Sequence, residues 1–206
     1  MKRFRITLLV VCLLLGWLGY NDVSVYLRNQ TPGVATINQV AAQDISQEWL
    51  QITGGYQDLL QAINMSGTME IDAFLVPLKT TRTAEELLVW YETRNPRIVS
   101  ALKTYYFKLD NDEARARFIE QNKELFFGQR NITGMTVSNL IADSNKNKLE
   151  KLLKEMNIPV SDKVVFVSEG KEPEKIRGFF FVAMAMLGIF KFLLGVKKKA
   201  PTAHNG

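Results

Sequence analysis

The stretch Gly178–Lys199, "GFFFVAMAMLGIFKFLLGVKKK", reads as a membrane span with one lysine inside it. Gly178 to Val196 is 19 residues, about 28 Å of helix at 1.5 Å per residue, close to the ~30 Å hydrocarbon core of a bilayer. Lys191 lies 13 residues beyond Gly178, about 20 Å along the axis. Its flexible stem can carry the ammonium to the side marked by Lys197, Lys198 and Lys199, so Lys191 is expected to snorkel. A sharper reading makes it the partner of an acid in another subunit.

A second apolar run, Ile6–Tyr20, lies near the other end of the sequence, behind Lys2, Arg3 and Arg5. A basic start followed by an apolar run also describes a secretory signal. Cleavage would need small residues where Trp17, Leu18 and Tyr20 stand, which favours an uncleaved anchor. A lipoprotein reading at Cys12 meets a bulky Val11, and the apolar run continues past it. Trp17 and Tyr20 suit the aromatic belt of a membrane interface. Cys12 is the only cysteine, so no disulfide forms within the chain.

Charge follows the same division. Of 26 Lys and Arg, eight lie in the two end segments without an acidic companion. The remaining 18 share the middle with all 21 acids, leaving it at −3. The basic pI therefore describes membrane flanks, and nucleic acid is not an expected partner. Short basic flanks orient spans with the positive side in the cytoplasm. The organisation expected is a cytoplasmic tail (1–5), a first transmembrane helix (6–25), an extracytoplasmic α/β domain (26–175), a second transmembrane helix (176–196) and a basic cytoplasmic tail (197–206). The membrane expected is the plasma, or inner, membrane, with the central domain periplasmic or extracellular.

The middle mixes helix and strand signals. Thr83 with Glu86 has capping-box spacing and predicts a helix over "TAEELLVWYETR", with Leu87, Leu88, Trp90 and Tyr91 on one face. Asp110 with Glu113 predicts a second helix, stopped by Gly128. Leu149, Leu152, Leu153 and Met156 give a third, stopped by Pro159. Strands are expected in "EWLQIT" before a Gly54-Gly55 turn, "MEIDAFLVPL", "RIVSALKTYYFKL", "NITGMTVSNLIA" and "KVVFVSEG", with "GVATINQVAA" a further candidate. The fold class is α/β or α+β: a mixed sheet with three to four packed helices, flanked by a transmembrane helix at each end. Two strand–helix–strand units are expected, around 46–107 and 111–168.

Chemistry is sparse. The only histidine, His204, lies in the C-terminal tail, which leaves the domain without a Ser-His-Asp, Cys-His or His/Cys zinc arrangement. No phosphate-loop motif is present. Asp110, Asp112 and Glu113 form the densest carboxylate cluster, explained by capping and the helix dipole. Glu70 with Asp72 reads as the outer side of a strand, and Glu85 with Glu86 as a helix start. "TYYF" at Thr104–Phe107 reads as strand core. Sequons occur at Asn29, Asn64 and Asn131.

No catalytic, cofactor-binding or metal residue is assigned, and no cofactor is expected. The reading is a non-enzymatic, membrane-anchored binding or assembly module. Its expected partners are the lipid bilayer and a membrane protein. Small residues Cys12, Gly16 and Gly19 on one span, and Ala183, Ala185 and Gly188 on the other, allow close helix packing. The alternative is a carboxylate-dependent envelope enzyme acting on glycans or lipids through Asp110, Asp112 and Glu113.

Overall fold

The computed structural model describes residues 2–65, 73–136, 149, 151, 153–154 and 163–197. In chain order its elements are α1 (Lys2–Arg28), β1 (Gly33–Thr36), α2 (Ile37–Ala41), β2 (Trp49–Gln57), β3 (Ile63–Asn64), β4 (Phe74–Lys79) and β5 (Val89–Thr93). Then follow α3 (Pro96–Phe107), α4 (Asp112–Gln121), α5 (Lys123–Phe127), β6 (Gln129–Thr136), β7 (Val165–Glu169) and α6 (Lys175–Lys197). The chain divides into two compact units, residues 1–30 with 173–206, and residues 31–172.

In the first unit α1 and α6 pack as an antiparallel pair. The order of touching residues is Cys12 with Gly188, Gly16 with Ala185, Gly19 with Val182, and Asp22 with Arg177. Both helices are long and apolar enough to cross a membrane.

The second unit is mixed α/β, built on one sheet ordered β1-β2-β6-β7-β5-β4-β3. β2 also pairs with β4, through Tyr56↔Lys79 and Gln57↔Leu78. That extra pairing turns β2, β4, β5, β7 and β6 into a ring, antiparallel except for parallel β5 and β7. With helices inserted between its third and fourth strands, the ring has the connectivity of an OB-type, partly open Greek-key barrel. β1 is an added edge, parallel to β2. The two expected strand–helix–strand units therefore do not exist separately, because β6 and β7 of the second lie between β2 and β5 of the first in one sheet.

Gly54 and Gly55 close the ring rather than make the expected turn. The β2–β6 register shifts between Ile52 and Gly55, and Gly54 has φ +78°, a left-handed conformation that favours glycine. A Cβ on Gly55 would run into the Leu78 side chain. This bulge bends β2, so its first part pairs β6 and its end reaches β4.

Alternation then sorts side chains to two cores. Phe74, Val76, Leu78, Val89, Tyr91 and Val167 join the interior cluster. Leu75, Trp90 and Phe166, one position out of phase, join a second cluster on the other face.

Two expected elements are exchanged. The segment predicted as a helix from Thr83 is irregular through Leu88 and then becomes β5, so the Thr83–Glu86 box does not form. The segment predicted as the strand "RIVSALKTYYFKL" is α3. Asn95 caps it, accepting from the Arg97 N–H at 3.0 Å, and Pro96 occupies its first turn. Ile98, Ala101 and Leu102 bury one helical stripe. The next helix is capped by Asn111, not Asp110, through the Ala114 N–H at 2.8 Å. "GVATINQVAA" is a strand only to Thr36, whose capping box with Gln39 starts α2. Leu149 and Leu153 are helical; most of the helix expected there, and residues 69–72 of the strand expected at Met69–Leu78, lie outside the described residues.

Candidate functional site

The most concentrated polar chemistry joins β5, β6 and β7. Arg130 on β6 pairs with Glu169 on β7 at 2.6 Å, with both side chains about four-fifths buried. The Thr93 hydroxyl, fully buried on β5, donates to the other Glu169 oxygen. Thr93 Oγ1 in turn accepts the Asn95 N–H at 3.1 Å, just ahead of α3. Beside this group, Ser168 donates to Glu92 at 3.3 Å, and Arg94 pairs with Glu92 at 3.1 Å. Glu92, Arg94, Ser168, Glu169, Gly170 and Lys171 line a shallow depression of 380 Å³.

Inside the barrel the Arg130 guanidinium lies 5.8 Å from the Tyr91 ring. The Tyr91 hydroxyl donates to Gln57 at 2.6 Å, and Gln57 donates onward to the Leu125 carbonyl at 2.5 Å. Burial pushes the Tyr91 phenol well above its ordinary pKa; Arg130 opposes that shift. The arrangement links β5, β6, β7 and the approach to α3, with the Arg130 Nε buried and without a hydrogen-bond partner. Thr93→Val is expected to cost about 1–3 kcal/mol, because it keeps the shape and leaves a Glu169 oxygen short of a donor. The thermal midpoint of the full chain in detergent should fall by roughly 3–10 °C, and Thr93→Ser should restore most of it. An unchanged midpoint would show that the Thr93–Glu169 link adds nothing.

OB-type barrels commonly bind oligonucleotides or oligosaccharides over their second and third strands. Here those strands are β4 and β5, and their outer face carries Leu75 and Trp90. Ile63, Val164 and Phe166 extend that face, and Leu149 and Leu153 pack in the same cluster. Trp90 is 1% exposed and Leu153 also 1%. Its indole N–H donates to the Leu87 carbonyl at 3.3 Å.

The helix pair has its own polar lock. Arg177 reaches Asp22 through two nitrogens, at 2.8 and 3.1 Å. Tyr26 stacks edge-on against Phe179, with centroids 6.1 Å apart. Cys12 and Ala185 are buried between the helices, whereas Ala183 faces outward. Lys191 is exposed on the outer surface of α6.

The carboxylates singled out from sequence stand apart from these groups. Asp110 is exposed. Asp112 and Glu113 are in the first turn of α4 and point to solvent, with Arg115 at 3.7 Å and Arg117 at 3.5 Å. Glu85 and Glu86 lie in the irregular segment before β5. Glu70, Asp72 and His204 lie outside the described residues. Of "TYYF", read as strand core, all four residues are on α3, and Tyr106 and Phe107 are exposed. Asn29 is buried, with its amide donating to the Val25 carbonyl, and Asn131 is exposed on β6. Among the described residues no group of three or more His, Cys, Asp or Glu side chains is placed to hold a metal ion.

No protein-family model, curated protein or solved structure matches the chain. What the structure defines is a class: a mixed α/β unit on an OB-type barrel, in a chain whose two terminal helices are long and apolar enough to span a membrane.

Proposed function

We propose that the chain is a two-span membrane protein whose α/β unit is a non-catalytic binding or assembly module for a membrane protein complex. One observation carries the membrane reading. The apolar windows of α1 and α6 are each only 11% buried. Ile6, Leu13, Leu14, Trp17, Leu187 and Phe190 are all more than half exposed, while Cys12, Gly19, Gly178 and Ala185 face inward. A core helix of a soluble protein has the reverse arrangement, and a helix packed in lipid has this one.

Length and charge agree. Twenty positions separate Lys2 from Asp22, and twenty separate Arg177 from Lys197, each about 30 Å of helix. The antiparallel pairing brings Lys2, Arg3, Arg5 and Lys197 to one end, with Lys198 and Lys199 next in sequence. By the positive-inside rule that end is cytoplasmic, which puts residues 31–172 outside. Lys191 is then six residues, roughly 9 Å, from the level of Lys197, within reach by snorkelling. The filled outer face of the barrel supports a protein partner over nucleic acid.

Cysteine labelling in intact cells tests the placement. In a Cys12→Ala background, Val34→Cys should react with a membrane-impermeant maleimide, and Lys199→Cys only after permeabilisation. The opposite pattern, or equal reaction at both sites, would sink the topology. Native gels of the detergent-extracted full chain test assembly: a species of higher mass than the chain alone is expected, unchanged by Lys191→Leu. A species at monomer mass alone would count against the assembly role.

A further inference from the structure

Residues 1–21 and 175–206 contain no Asp or Glu, so the basic end of the helix pair has no acid within its own segments. The contacts of Cys12 with Gly188 and of Gly16 with Ala185 set the antiparallel register of α1 and α6. Continued toward the start of α1, that register brings Arg3 level with Lys197 and Arg5 level with Gly195. Lys2, Arg3, Arg5 and Lys197 therefore share one end of the pair, and Lys198 and Lys199 follow in sequence. Lys191 stands apart from them, six residues or about 9 Å deeper along α6. It is exposed on the outer surface of that helix. At helical spacing it shares a stripe with Met184, Leu187 and Leu194, which are 44%, 64% and 49% exposed.

We propose that this end of the helix pair binds an anionic phospholipid, with the lipid phosphate at the Lys191 ammonium and an acyl chain along Leu187 and Met184. The inference rests on the membrane reading above. A lysine at this depth carries its ammonium on a flexible stem toward the headgroup layer. The group it meets there is a phosphodiester. In a zwitterionic lipid the headgroup's own cation offsets the phosphate. In phosphatidylglycerol the phosphate charge is uncompensated, and a protein cation is its natural partner. Lys and Arg at the edge of a span attract anionic lipid by about 1 kcal/mol for each cation near the surface. The cations at positions 2, 3, 5 and 197–199 supply a diffuse field that enriches such lipids. Lys191 adds position to that field, because its neighbours on the stripe are apolar and exposed. The lipid head is drawn to the ammonium, and the chain lies on the side chains below it.

The test uses the full purified chain. Reconstituted in vesicles, it should resist extraction by alkaline carbonate; release would remove the membrane reading and the lipid site together. Moved to mild detergent, it is given phosphatidylglycerol and phosphatidylcholine in equal amounts, and bound lipid is read by native mass spectrometry. Phosphatidylglycerol should be the first bound lipid by roughly tenfold or more, from several cations at about 1 kcal/mol each. Lys191→Leu should reduce that preference about fivefold, the equivalent of ~1 kcal/mol, and Lys191→Arg should retain it. Lys108→Leu removes the same charge from an exposed position in the α/β unit and should leave the preference unchanged. Lys191 is exposed, so its substitution does not threaten the helix pair. Equal binding of the two lipids by the parent chain overturns the site and leaves the spans standing. So does a preference after Lys191→Leu that matches the one after Lys108→Leu. Displacement of the lipid by millimolar glycerol phosphate would also overturn it, in favour of a site for soluble phosphate.

Discussion

A chain carrying Gly16→Cys and Ala185→Cys in a Cys12→Ala background is expected to close an intramolecular disulfide under mild oxidation. A Cβ on Gly16 lies 3.6 Å from the Ala185 Cβ, inside the ~3.5–4.5 Å range that a disulfide needs. Non-reducing gels of membranes should show the closed monomer as the main product. Adding Gly19→Leu should then suppress closure. A Cβ on Gly19 meets the Val182 nitrogen at 2.8 Å and the Gly178 oxygen at 3.0 Å. These are backbone atoms, so relief requires the helices to move apart. Overpacking of this kind costs about 1–3 kcal/mol, a fall of roughly five- to 150-fold in the paired population's equilibrium constant. Equal closure with and without Gly19→Leu would mean that α1 and α6 do not pack on these residues.

The second large effect is expected at Trp90. Trp90→Ala removes an indole that is 1% exposed and the hydrogen bond to Leu87, for a cost of about 3–5 kcal/mol. Against a total stability of about 5–15 kcal/mol, that is a fifth or more of what holds the unit folded. Circular dichroism of the full chain in detergent should show a midpoint lower by roughly 10 °C or more. Leu153→Ala should also destabilise, and the double variant should lose less than the two single losses combined, because both residues line one cluster. Additive losses would indicate that Leu153 does not pack with Trp90. A midpoint within about 2 °C of the parent after Trp90→Ala would place the indole outside the core.

The apolar ends and the mixed character of the middle were legible because each rests on composition over many residues. The exchange of β5 and α3 shows where pattern reading stopped. β5 is buried on both faces, Tyr91 inward and Trp90 in the second cluster, so it lacks the polar alternation of a half-exposed strand. Leu87, Leu88, Trp90 and Tyr91 then resemble a helical stripe. In α3 the helical spacing of Ile98, Ala101, Leu102 and Tyr105 was present, as was Asn95-Pro96 as cap and first turn. The β-branched and aromatic content of the segment outweighed those signals. Gly54-Gly55 was visible as a break, but whether two glycines turn a chain or bulge a strand depends on the strand lying opposite. The Arg130–Glu169–Thr93 group left no local trace, since its members are 39 and 76 positions apart. Each alone looks like an ordinary strand residue. The small-residue contacts at Gly16, Gly19 and Gly188 were readable, whereas Ala183, chosen by residue type alone, faces away.

The Asp22–Arg177 contact joins positions 155 apart in sequence, and this has a consequence for biosynthesis. At a synthesis rate of about 5–20 residues per second, α1 leaves the ribosome roughly 8–30 s before α6 is complete. Throughout that interval its glycine face has no helix to meet, and the Asp22 carboxylate has no guanidinium. In the two-span topology proposed above, α1 would be an insertion intermediate with an unmatched acid at one end. If the two-span topology proposed above holds, the α/β unit would cross the membrane and begin folding while tethered by that single incomplete anchor. Arrival of Arg177 would then act as the closing step of assembly, so a ribosome stalled before residue 177 should leave a chain that detergent extracts and proteases reach more readily than the finished protein.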